Sequence, residues 1–147
     1  MPQRKQIAFH LLHISTPQFA IIEDVYQKDC ETGIEAGVGV MANEKDNKVG
    51  IEFGVSFICK KNPFVKLSVQ CEFGVDKNSF DSFKNNENKL VIPVGFCQHL
   101  AMLSAGTARG ILFEKLKDTQ FKDFILPTID ITQLLKEDIE LERNDKK

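Results

Sequence analysis

The chain has 147 residues, which suits one domain of ordinary size and would cramp two. Apolar residues make up 42% and charged residues 27%, a globular balance that argues against wholesale disorder. A net charge of −2 excludes a strongly basic nucleic-acid binder and gives no pull toward anionic membranes. No apolar run approaches the roughly 20 residues a membrane helix needs, so no membrane insertion is predicted.

The start, Met1-Pro-Gln-Arg-Lys-Gln, leads into a strand-like pattern rather than a signal peptide's apolar stretch and cleavage site, which predicts a cytoplasmic protein. In Gln6–Ile14, apolar residues occupy both faces: Ile7, Phe9 and Leu11 on one, Ala8, Leu12 and Ile14 on the other. Such a strand is buried on both sides, or is paired with and covered by a second chain. Phe19–Ile22 continues it after Pro17, and Glu23–Thr32 reads as a polar crossing loop carrying Val25 and Tyr26.

Three segments then show a period of two. In Val65–Val75 every odd position is apolar and no even one is; Ile51–Cys59 and Ile34–Val40 alternate almost as cleanly. These are half-buried antiparallel strands forming a meander. Keeping core face against core face sets Ala42 opposite Val49 in one hairpin. In the other, around Lys60–Phe64, it sets Cys59 opposite Val65 and Phe57 opposite Leu67. Asp76–Lys89 is polar and reads as a loop.

The period turns helical from Pro93 to about Lys117, Pro being favoured in a first turn. Cys97, Leu100, Ala101, Ser104, Ala108, Ile111 and Leu112 form one stripe. Gly95, His99, Met102, Gly106, Gly110 and Phe113 form a second, nearly opposite. One stripe is enough to sit on a sheet. Mid-helix glycines cost about 1 kcal/mol each relative to Ala, and make sense where another backbone approaches. Met102, Gly106, Gly110 and Phe113 are therefore candidate oligomer contacts; the alternative is a kink or helix end at Gly106–Gly110. Phe121–Pro127 follows as an apolar connector. Asp130 is placed to cap a final helix, Ile131–Arg143, and residues 140–147 read as a flexible tail. The fold class is α+β: a four-stranded antiparallel sheet, then a long helix and a C-terminal helix.

Enzyme chemistry is poorly supported, and no catalytic residue, metal site or cofactor is predicted. The chain lacks G-x-S-x-G, H-E-x-x-H and Walker sequences. His10 and His13, three apart in a strand, should point to opposite faces. Cys30, Cys59, Cys71 and Cys97 have no metal-ligand spacing and read as reduced thiols, small and buried. Arg109 suggests an interhelix or intersubunit ion pair. A small-ligand enzyme of hot-dog type normally places its long helix after the first strand, whereas here it follows all the strands. Twelve Phe, one Tyr and no Trp would suit a core, or equally a surface that takes apolar peptide.

The order of segments resembles the SecB family of export chaperones, in its divergent SecB-like branch. The first strand reads F-x-L-L-x-I and runs on to Phe19-Ala-Ile-Ile-Glu23. The last of the alternating strands contains Leu67-Ser-Val-Gln-Cys-Glu-Phe73, the long helix carries Ala108-Arg109, and the connector reads Thr119 through Pro127 and Asp130 to Leu134. The resemblance spans nearly the whole chain. It implies a homotetramer, a dimer of dimers with the long helices between two sheets. It also implies an ATP-independent holdase that binds unfolded or slow-folding polypeptides in apolar grooves. Those grooves map onto Phe19, Ile21, Val25, Tyr26, Phe121, Phe124 and Leu126. Delivery to the motor SecA is one family role, while some SecB-like proteins instead guard an antitoxin. Here the exposed strand residues Glu35, Glu52, Lys66, Gln70 and Glu72 are a mixed set, not the acidic face that docks SecA.

Overall fold

The computed structural model describes residues 6–143. Strands β1 (Phe9–Ile21), β2 (Thr32–Asn43), β3 (Lys48–Cys59) and β4 (Asn62–Val75) form one antiparallel sheet in the order β1-β4-β3-β2. Short α1 (Lys77–Asp81) and β5 (Lys89–Ile92) lead into α2 (Val94–Leu116), one-turn α3 (Ile131–Leu134) and β6 (Ile139–Glu142). The odd positions of β3 and β4, from Val49 to Val75, face the core and are buried almost without exception. They are covered by the α2 face of Phe96, Cys97, Leu100, Ala101, Ser104, Ala105, Ala108, Leu112 and Leu116. The centre of the core is thus one sheet face against one helix, extended by side chains such as Phe80, Phe83, Phe121 and Leu126 from the connecting segments.

The sequence expectations hold for the sheet and the long helix and fail in several details. Ala42 does pair with Val49, but the β3–β4 hairpin is two residues tighter than its core-face alternation suggested. Phe57 opposes Val65 rather than Leu67, and Cys59 opposes Asn62. Lys60 and Lys61 make the turn alone, at φ 50° and 71°, the left-handed backbone that two-residue hairpins require. Phe64 is the extra residue of a bulge, so the core parity survives a two-residue slip.

Among the described residues β1 is not buried on both faces, which leaves the other expectation, cover by a second chain. It is an edge strand, and Leu11, Leu12 and Ile14 are 42–46% exposed. A register shift at Leu12 sets His10 opposite Gly74 and His13 opposite Glu72, so the two histidines share the polar face rather than dividing between faces. The 76–89 patch contains α1, capped by the Asp76 carboxylate accepting from Ser79 N, and buries Phe80 and Phe83.

The final helix stops at Leu134. Leu135 is extended, and the alternation of Ile139-Glu-Leu-Glu142 becomes β6, paired with β5. Residues 140–142 of the expected tail are therefore held in a strand; residues 144–147 lie outside the described residues. The same turn carries Asp138, whose carboxylate accepts from Val94 N at 2.8 Å. It supplies the anionic N-terminal partner that Pro93, with no cap of its own, leaves vacant on α2.

Candidate functional site

Seven residues were expected to line a groove, and the structure divides them. Tyr26 sits at the centre of an aromatic cluster, its ring 5.0 Å from Phe64, 5.1 Å from Phe121 and 6.0 Å from Phe124. Phe124 also packs on Phe57 and Phe64 at 5.4 and 5.2 Å, in edge-on geometries that favour aromatic pairs. Phe121 and Leu126 correct the expectation: at 0% and 1% exposure they are core, and present nothing to a client. The cause is the connector, which folds down onto the sheet instead of lying open. Arg109 fastens it, donating Nε–H to the Leu126 carbonyl at 2.7 Å and NH2 to Pro127 O at 2.9 Å. Arg109 thus ties helix to connector within one chain, where an interhelix or intersubunit ion pair was expected.

Val25, Tyr26 and Phe124 are half-buried and form the accessible rim, with Ile22 and Ile125 exposed beside them. Those two isoleucines were missed, because loop residues carry no periodicity to mark them. Phe19 and Ile21 are half-buried on the core face of β1, opposite Leu67 and Val65. Lys115 Nζ lies 5.0 Å from the Phe19 ring centre, a cation–π contact that covers it.

The segment bearing Tyr26 is tied by a disulfide between Cys30 and Cys59, a correction to the reading of four reduced thiols. Their Cα atoms are 5.9 Å apart, within bonding span, because Thr32 pairs with Cys59 and brings Cys30 alongside. They lie 29 positions apart in the sequence, and no spacing rule points to that pair. Cys71 and Cys97 are free and buried. Burial pushes the Cys97 thiol up to about 12, so it stays protonated.

A second apolar surface lies on the helix side. Met102, Leu103 and Phe113 are 54, 44 and 53% exposed on the outer face of α2. Gly106 and Gly110 notch that face, and a Cβ built at either meets nothing within 4 Å. Ile34 on β2 and Leu11 and Ile14 on β1 belong to the core face by register, yet each is more than 40% exposed. The reason is width: strands lie about 4.8 Å apart and a helix is about 10 Å across, so one helix covers the central pair of four strands and leaves the edges bare.

The opposite sheet face is polar, with Lys48–Glu72 paired at 2.8 Å and Ser68 bonded to Glu52 at 2.7 Å. Among the described residues no group of three or more His, Cys, Asp or Glu is placed to hold a metal ion. No described helix is long and apolar enough to cross a membrane.

Comparison with known proteins adds little to this geometry. No family model matches the chain, and no curated protein matches it. Among solved structures the chain is similar to the Mycobacterium tuberculosis Rv1957 SecB-like chaperone, solved in complex with a ChAD peptide from the Rv1956 HigA1 antitoxin. That match is 9% identical and covers 85% of this chain and 90% of the other, at a TM-score of 0.37, a superposition too loose to carry a functional argument.

Proposed function

We propose that the protein is an ATP-independent holdase that works as a homo-oligomer in the cytoplasm, covering apolar segments of unfolded polypeptides. The observation that carries this reading is the apolar helix side: Met102, Leu103 and Phe113 on α2, with Ile34, Leu11 and Ile14 on the edge strands, remain exposed in a chain whose core is otherwise closed. Apolar area of that extent is costly in water, and is retained where something covers it.

Two kinds of cover divide the work. The glycine-notched face of α2 suits another copy of the chain, consistent with the dimer of dimers that the SecB-like resemblance implies. The rim of Val25, Tyr26, Phe124, Ile22 and Ile125, together with the free edge of β1, suits an extended client. Strand edges recognise backbone and the rim recognises any apolar side chain, so binding needs little sequence preference. Each client side chain buried contributes roughly 1.5–3 kcal/mol before ordering costs, so several sites must act together, and an oligomer supplies them.

The test is light scattering for mass together with aggregation assays on several chemically denatured clients. Suppression across unrelated clients is the expected result. Activity toward one client alone would mark a protein dedicated to a single partner, such as an antitoxin, and a stable inactive monomer would overturn the proposal.

A further inference from the structure

We propose that the Cys30–Cys59 disulfide is a redox latch on the aromatic cluster: oxidised, it holds residues 22–31 down over Phe64, Phe121 and Phe124; reduced, it lets that segment lift and uncovers the apolar surface beneath. As regulation of client binding, this rests on the reading of Tyr26 and Phe124 as client contacts; as a conformational device, it does not.

The segment has few other fastenings. Ile22 N donates to Phe64 O at 2.7 Å at its entry, and between there and Thr32 no residue joins the sheet. The short 3-10 turn Glu23–Val25 and the Cys30 N to Gln27 O bond are internal to the segment. Lys60 Nζ donates to Gln27 Oε1 at 2.7 Å, but that bond is exposed and water replaces it readily. Glu23, Asp24, Gln27, Lys28 and Asp29 all face solvent, so lifting the segment buries no charge. What keeps it closed is the packing of Val25 and the Tyr26 ring on the core and the cross-link at its exit. Beneath Tyr26, Phe64 and Phe121 are both fully enclosed, so its departure exposes two large apolar rings at once.

Access to the bond is one-sided. Cys30 is half-buried and Cys59 is 1% exposed. A dithiol reductant attacks Cys30 Sγ through its thiolate, forming a mixed disulfide, and Cys59 Sγ leaves as a thiolate that takes up a proton. The second thiol of the reductant then displaces Cys30 Sγ, which is protonated in turn. Two electrons and two protons pass to the protein, and the reductant becomes a disulfide. In a compartment rich in reduced thiols the open form would prevail, and oxidative stress would close it.

The full chain reports on itself, because Tyr26 is its one tyrosine and it has no tryptophan. Acrylamide quenching of tyrosine fluorescence is measured before and after dithiothreitol, with thiol titration in denaturant to confirm that two further thiols have appeared. The expected result is at least a twofold rise in the quenching constant on reduction, reversed on reoxidation. Cys30→Ala, at a half-buried site, should show the high value with and without reductant. Unchanged quenching once the two thiols are present overturns the latch, as does finding four thiols after treatment with oxidised glutathione. A labelled denatured peptide, followed by anisotropy, separates the two proposals: if quenching responds and affinity does not, the latch stands and the client role of this surface fails.

Discussion

Along α2, Leu100, Ala101, Ser104, Ala108 and Leu112 are closed off against β3 and β4, whereas Met102, Leu103 and Phe113, about half a turn round the same helix, are half exposed. The residue types on the two faces are similar. What differs is that a sheet stands opposite one face and, among the described residues, nothing stands opposite the other. Apolar character sets the demand for cover, and only a facing surface meets it.

The contrast can be broken from the buried side first. Leu100→Ala empties a site with 0% exposure and should cost about 2–5 kcal/mol, read as a lower urea midpoint. A loss under about 1 kcal/mol would mean that the helix does not seal the sheet.

The glycine notch gives a test by sign. Alanine has open space at Gly106 and Gly110, so each substitution should stabilise the isolated chain by about 0.8–1 kcal/mol. If another backbone seats in the notch, the same pair of changes should lower the mass measured by light scattering. A stabilised double variant with unchanged mass would show that the notch receives no partner.

A third test uses a region away from either face. Arg143 donates Nε–H to Glu44 Oε1 at 2.8 Å, and Lys84 Nζ stands 3.7 Å from the same oxygen, which binds the end of β6 to the β2–β3 hairpin. The Arg143 hydrogen bond first, then the Arg143 and Lys84 charges, hold the Glu44 carboxyl below its ordinary value of 4.5, against a burial effect that raises it. A depressed acid contributes stability above the unfolded value, and that stability is lost as pH falls through the folded one. Thermal melts should therefore weaken progressively below about pH 4.5, and Glu44→Gln should flatten that part of the profile. An identical acid limb in the variant would remove Glu44 from the account.

The smallest effect on stability is expected on the exposed face. Met102→Ser with Phe113→Ser should change the unfolding free energy by no more than about 0.5 kcal/mol, as surface changes do, while reducing hydrophobic-dye binding and mass. Strong destabilisation of a dilute monomer would show that these side chains are packed within the chain after all.

The sheet and the long helix were legible because their signals are local. Alternation in Val65–Val75 and the 3.6 period after Pro93 follow from where successive side chains point. Legibility failed wherever a distant segment cast the deciding vote. Ile139–Glu142 fits a helical stripe begun at Ile131 and also fits a strand; pairing with β5 decided it. Leu12 disrupts the period of β1 because its partner Phe73–Glu72 has no residue to match it, a fact that resides in β4. Of the expected groove residues, Tyr26 and Phe124 lie half-buried at the surface of the aromatic cluster, whereas Phe121 and Leu126 are enclosed in the core. Arg109's grip on the connector carbonyls, which pulls those two into the core, has no sequence signature.

By itself the sequence determined the order of the four sheet strands and the long helix, the parity of the core face and the presence of two apolar stripes on one helix, since each depends on side-chain spacing along a single element. The tertiary structure alone decided the two-residue register slip, the Cys30–Cys59 bond, the β5–β6 pair and which stripe was left bare. Each of these depends on groups far apart in the chain meeting in space, and spacing along the chain does not encode such meetings.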